Sequence, residues 1–399
     1  MQVAEGDRGG TFRSLRHANM RLYMGGLLAS NIGTWLQFTA TSFLLYRLEG
    51  RATDAGLNTL FQFAPMLVLG AWAGGFADRH DRRTVALFTQ SGLAIQAVMM
   101  AVADFSGHIS RPVVYSLSLF LGIVNAIDNP SRRGLVTELV EPHEIGNAMS
   151  LNTTVMTGSR IFGPALAGLL IGPLGTAWLF AINAVSYLAV LGSLVMIRRH
   201  EMFPASIAPR TPRPVREALA FVMADDLLRR TFIVFTIVST FAFNYSVVLP
   251  KLCDVRWGNE AAFPWMLTVV SIGSIIGSLA TARLPAIDGM WFACAPILNG
   301  ISFMGLAWAP NVEVAFVAAL PLGVGGTAIV ASMNGLSQQK TPPEMRSRML
   351  ALVAVAFLGS TPIGGPITGW IGDTISIEWS LGYGGLATLA CIPLLRKVR

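Results

Sequence analysis

The sequence predicts an all-α membrane protein in which twelve transmembrane helices form two pseudo-symmetric six-helix bundles. Composition is the first reason: of 399 residues 53% are apolar and 13% charged, about half the charge of a soluble domain, and the mean hydropathy is +0.57. Apolar stretches of spanning length are the second, since twelve spans of about 20 residues take up about 240 and leave short loops. The third is that basic residues crowd alternate connections. This composition excludes a soluble enzyme, a disordered chain and a fibrous repeat.

A window of about 19 residues gives spans at 22–46, 55–77, 84–103, 113–131, 148–172 and 177–197, then at 231–249, 264–282, 290–308, 313–333, 348–371 and 377–395. Residues 1–21 hold Arg8, Arg13, Arg16 and Arg21 without an apolar run and cleavage site, so they read as an N-terminal tail and not as a signal peptide. Residues 198–230, rich in Arg and Pro, are the one long polar segment; they read as a linker between bundles at 22–197 and 231–395, with 396–399 as a C-terminal tail. Taking the N-terminus as cytoplasmic puts 23 basic residues on the inner side and only 5, namely Arg47, Arg51, Arg111, Lys251 and Arg256, on the outer side. So large a bias places both termini in the cytoplasm. It also accounts for the net charge of +7 without a nucleic-acid partner. The halves repeat each other as well: Gly134-Leu135 recurs as Gly335-Leu336 at an offset of 201, and Gly163-Pro164 as Gly365-Pro366 at 202. Matches at nearly one offset point to a duplicated six-helix unit.

Chemistry-bearing residues are few within the spans. Cys253, Cys294 and Cys391 lie far apart, and His17, His80, His108, His143 and His200 fall in loops or tails. With no P-loop, GxSxG or HExxH pattern either, no metal, no cofactor and no bound ATP is expected. Arg160 lies inside the fifth span, where a lone charge costs at least about 2.5 to 3.5 kcal/mol on insertion scales. It needs a partner or a wet cavity, and both a structural pair and a substrate-facing or coupling role are open to it. Asp128, towards the inner end of the fourth span, lies within about 6 Å of the depth of Arg160 in a hairpin turning near Pro142.

The loop after the second span reads Gly74-Gly75-Phe76-Ala77-Asp78-Arg79-His80-Asp81-Arg82-Arg83. It resembles the signature loop of the major facilitator superfamily, with Asp81 standing where that pattern has glycine. Asn129-Pro130-Ser131-Arg132-Arg133 and the fifth-span run Gly158-Ser159-Arg160-Ile161-Phe162-Gly163-Pro164, continuing to Gly168, look like the drug:proton antiporter branch of that superfamily. That branch contains macrolide-efflux and enterobactin-exporter proteins. The resemblance covers essentially the whole chain. It implies that Gly74, Asp78, Arg79, Arg82 and Arg83 join Asp128 in a cytoplasmic latch, although an ion pair with Arg160 and proton coupling remain open for Asp128. It also implies that Gly158, Gly163, Pro164 and Gly168 form an exporter-type helix face; physically, the glycines allow close packing and the proline a kink.

The family lines its path with spans one, four, seven and ten. Asn31, Thr34, Trp35 and Gln37 of the first span and Thr240 and Asn244 of the seventh are therefore expected along the path, with Asn125 and Asn334 as weaker candidates. Hydrogen bonding between helices is the competing account of these stripes. The expected function is proton-coupled export of amphipathic small molecules by alternating access, by a monomer in the cytoplasmic membrane. A metabolite facilitator or importer of the same fold is the alternative. A membrane enzyme or receptor is more remote, because the spans hold no nucleophile–base pair.

Overall fold

The structure, a computed structural model, describes residues 12–77, 79–203, 214–284, 287, 289–342 and 345–395. Among these residues it is helical with no strand. The first half comprises α1 (Ala18–Glu49), α2 (Ala52–Ala77), α3 (Arg82–Phe105), α4 (Arg111–Glu138), α5 (Ile145–Leu174) and α6 (Thr176–Met196). A short helix, α7 (Pro214–Ala224), leads to the second half: α8 (Asp226–Phe241), α9 (Tyr245–Trp257), α10 (Ala262–Ala282), α11 (Gly289–Ala307), α12 (Val312–Lys340), α13 (Arg346–Thr374), α14 (Ile377–Ala390) and α15 (Ile392–Leu395). Each expected span falls on one helix or on one broken pair. Among the described residues eight helices are long and apolar enough to cross a membrane, and α8 with α9, bent by 42°, makes a ninth. The polar side chains of α1 lower its hydropathy, although at 32 residues it is long enough to span.

Two details depart from the expected boundaries, each for a local reason. The seventh span is broken because the Asn244 side-chain amide donates to the Thr240 carbonyl at 2.7 Å, taking the acceptor that a continuous helix would give to the main-chain N–H four residues on. The second half also starts at Asp226 rather than at 231, because the Asp225 carboxylate caps the Leu228 N–H at 2.9 Å. Asp226 then suits the helix dipole in the first turn.

The duplication is visible in the packing. In the first half α1 packs on α6 and α5, α2 on α4, and α3 on α4 and α6; in the second half α8 packs on α14 and α13, α10 on α12, and α11 on α12 and α14. The second set is the first shifted by six spans. The halves meet through α2 against α13 and α5 against α10, two contacts that the same pseudo-symmetry exchanges.

Backbone approach makes these contacts close. A Cβ at Gly56 would lie 2.4 Å from the Gly365 carbonyl oxygen across the interface, and one at Gly364 would lie 1.8 Å from the Thr240 oxygen within the second half. Glycine is required at such positions because the opposing atom is main chain and cannot turn aside. Gly364→Ala is therefore expected to destabilise the second half by about 1 to 3 kcal/mol. Gly192→Ala, whose methyl meets nothing within 4 Å, should leave the thermal midpoint of the purified protein unchanged.

Candidate substrate cavity and gate

At the end of the bundle remote from the termini and the linker, here the distal end, a polar clasp joins the halves. Asp373, in the last turn of α13, accepts from the main-chain N–H groups of Ala52 at 2.9 Å and Thr53 at 2.8 Å. A carboxylate at the C-terminus of its own helix is disfavoured by the dipole, but the first turn of α2 presents the opposite pole. Lys251 Nζ adds a bond to Asp373 at 2.6 Å. The Tyr46 hydroxyl donates to Asp254, and Arg47 lies 3.6 Å from Glu260. Among the described residues, the hydrogen bonds and ion pairs between the two halves all belong to this distal set.

Asp128 is fully buried. It accepts from Thr89 Oγ1 at 2.7 Å and Gln90 Nε2 at 2.8 Å on α3, and pairs with Arg132 one turn along α4. This corrects two expectations: Asp128 joins neither Arg82 nor Arg160 here. Its i, i+4 relation to Arg132 was readable from the spacing. Beside this pair, Ser30, Asn31, Thr34, Gln90, Asn125 and Arg132 line a polar cavity of about 30 Å³, room for a water molecule or two.

The first-span stripe therefore divides. Asn31 and Thr34 face this small cavity inside the first half, as does Asn125 of α4. Gln37 donates to Gln96 at 2.9 Å and accepts from Asn183 at 2.7 Å, a buried link between α1, α3 and α6. Hydrogen bonding between helices is the account that holds for Gln37. Thr240 turns its hydroxyl onto its own helix and Asn244 is 2% exposed against α13, so neither faces an open path. Asn334 is half-buried in α12.

Trp35 and Arg160 point elsewhere. The Gly163 backbone presses on the Trp35 Cβ, and the guanidinium carbon of Arg160 sits 4.7 Å from the centre of the Trp35 ring. Arg160 also interacts electrostatically with Tyr245, which opens α9 in the second half. It lies fifteen residues into α5, about 22 Å along the helix, and so at the middle of the span. Leu169, which is 57% exposed, follows nine residues later, two and a half turns on and thus on the opposite side of the helix. The apolar outer face of α5 and the Arg160 face are therefore back to back. A Cβ added at Gly168 would lie 2.9 Å from the Trp265 indole of α10, whereas one added at Gly158 would meet nothing within 4 Å. Two of the three motif glycines serve close packing, and Gly158 does not.

The signature loop is tied to its own half. Arg82 bonds Glu138 at 3.1 Å and the Gly134 carbonyl at 3.3 Å, and Arg83 caps the end of α6 through the Leu194 oxygen at 2.6 Å. Asp81 replaces the usual glycine by capping α3, accepting from the Thr84 N–H at 2.6 Å. Burial opposes its charge, but the bonds from Thr84 and the charges of Arg199 and Arg83 outweigh burial and hold its carboxyl below the usual range. Arg79 is exposed. A Cβ added at Gly74 would meet nothing within 4 Å, and Asp78 lies outside the described residues.

The sequence model of the family described as "transmembrane secretion effector", within the major facilitator superfamily, matches residues 9–399. The chain belongs to this family. It is 22% identical to the staphyloferrin A transporter of Staphylococcus aureus over 91% of this chain and 92% of that protein. It is 24% identical to the multidrug efflux pump Tap of Mycolicibacterium fortuitum over 90% of each, and 21% identical to the enterobactin exporter EntS of Escherichia coli over 86% and 83%. Among solved structures, a bacterial homologue of the lysosomal transporter Spinster aligns with a TM-score of 0.70 at 15% identity, covering 97% of this chain and 95% of that one. The fold is that of a major facilitator transporter, a membrane protein of twelve helices that moves small molecules and is not an enzyme.

Within this transporter fold the sequence missed the distal clasp. Asp254 and Asp373 lie far from Tyr46, Ala52 and Thr53 in sequence, and only the tertiary structure brings them together. The buried pair gives a prediction: Asp128→Asn leaves Arg132 without its counter-charge and should destabilise the protein by about 3 to 5 kcal/mol. Adding Arg132→Gln should recover part of that loss in thermal unfolding of the purified protein.

Proposed function

We propose that this transporter is a secondary active exporter of amphipathic small molecules, acting as a monomer in the cytoplasmic membrane with both termini inside and exchanging cargo for protons. The observation that carries the reading is a mid-span arginine between two halves whose polar links, among the described residues, lie at the distal end. With the termini inside, this is a state closed to the exterior and ready to take cargo from the cytoplasm. The charge bias of the loops and the names of relatives that pump drugs or export a siderophore support the same direction. Asp254 and Asp373 stand where a proton from outside meets the clasp, and neutralising either weakens it. In the opposite state the signature loop closes the cytoplasmic end, with the exposed Arg79 and the uncrowded Gly74 free to receive the second half.

The test is flux in inside-out vesicles carrying the protein. A fluorescent amphiphile should accumulate when the lumen is acidified, and a protonophore should abolish the accumulation. Accumulation that ignores the pH gradient contradicts antiport. Uptake only with the reversed gradient would make the protein an importer.

A further inference from the structure

We propose that Arg160, stacked on Trp35, is the docking point for the carboxylate of an amphipathic anion, so that the cargo is an apolar molecule bearing one negative charge. The inference rests on the reading of the chain as a transporter with its path between the halves, and it names the cargo class that this path selects.

Several cations of the bundle have a carboxylate: Arg132 has Asp128, Lys251 has Asp373, Arg111 has Asp54 and Glu49, and Arg256 has Glu378. Arg160 is different. Among the described residues it has no carboxylate within ion-pair distance and gives no hydrogen bond to any protein acceptor, although it stands at mid-span. A guanidinium carries five N–H donors in one plane. Stacking on an indole engages its face and leaves that donor edge open. An unengaged charge is tolerated at this depth only in a wet cavity, and the helix geometry turns it away from the exposed Leu169 and towards the other half.

The surroundings define the rest of the ligand. Trp35 stands edge-on to Phe38 at 5.4 Å between ring centres, and Tyr245 of the second half is close enough to sense the Arg160 charge. Met156, one turn earlier on α5, is 36% exposed, and Thr153, nearly two turns earlier, is exposed as well. Their positions extend the Arg160 face towards the end of the bundle opposite the distal clasp. A single cation among aromatic and thioether side chains matches a monoanion with an apolar body. It does not match a phosphate dianion, which calls for a second cation, or an amphipathic cation, which it repels. The planar fork matches two carboxylate oxygens at once.

The test is equilibrium binding to the full chain in nanodiscs, with empty nanodiscs subtracting partition into lipid. The probes are 4-(1-pyrenyl)butyrate and its methyl ester, which share one apolar body. Wild type should bind the acid at least tenfold more tightly than the ester. Arg160→Lys keeps the charge without the fork and should retain part of that preference. Arg160→Gln should erase it while binding the ester within twofold of wild type. Equal binding of acid and ester by wild type, or a preference that survives Arg160→Gln, overturns the proposal, and the wild-type ratio decides even if the Gln variant fails to fold. Because no gradient is applied, an intact acid preference without export would fault the transport reading alone, and export without an acid preference would fault this inference alone.

Discussion

A charge inside hydrocarbon must have a counter-charge or water, and this protein meets that constraint in two ways. Asp128 and Arg132 satisfy each other inside the first half, with Thr89 and Gln90 filling the remaining acceptor positions of the carboxylate. Among the described residues Arg160 stacks on the ring of Trp35 and has no carboxylate partner. The first arrangement locks a bundle together, and the second, on the proposal made above, keeps a binding function open at its centre. Two arginines in adjacent spans of one chain thus do opposite work, and the difference is the presence of a carboxylate one helical turn away.

The distal clasp is built for reversibility. Asp373 gains from the positive pole of α2 and from Lys251, yet its partners lie at helix ends where water can replace them. Arg47 and Glu260 are both exposed, and such pairs contribute about 0 to 1 kcal/mol. Deeper in the interface the close approach of Gly56 to Gly365 relies on main-chain contact with no long side chains to disentangle. Smooth helix surfaces with weak polar ends suit two rigid halves that rock against each other.

The helices were legible because a bilayer enforces long apolar runs. The expected spans therefore lie on the observed helices to within a turn or two at their ends. The break in the seventh span was hidden: nothing in the hydropathy marks a side-chain amide of Asn244 that displaces a main-chain bond. The site was legible in part. Arg160 stood out because its type contradicts its surroundings, whereas Trp35 was expected along the path with the first-span stripe and not as the partner of Arg160. Gln37, Thr240 and Asn244 were misplaced because a polar stripe looks alike whether it faces a path or a neighbouring helix, and only the partner decides. The distal clasp was illegible because its members are more than 200 residues apart in sequence, as for Tyr46 and Asp254.

The central claim is that the halves rock about a mid-span site with one end shut while the other is open. Pulsed electron paramagnetic resonance on the reconstituted protein tests it most directly, with one spin-label pair across the distal end at Arg51 and Asn259 and another across the opposite end at Arg79 and Lys340. When Asp373→Asn removes the distal clasp, the account predicts that the first distance lengthens and the second shortens in the same population of molecules. A distal distance that lengthens while the other stays fixed would contradict alternating access in this protein, as would two distances that rise together.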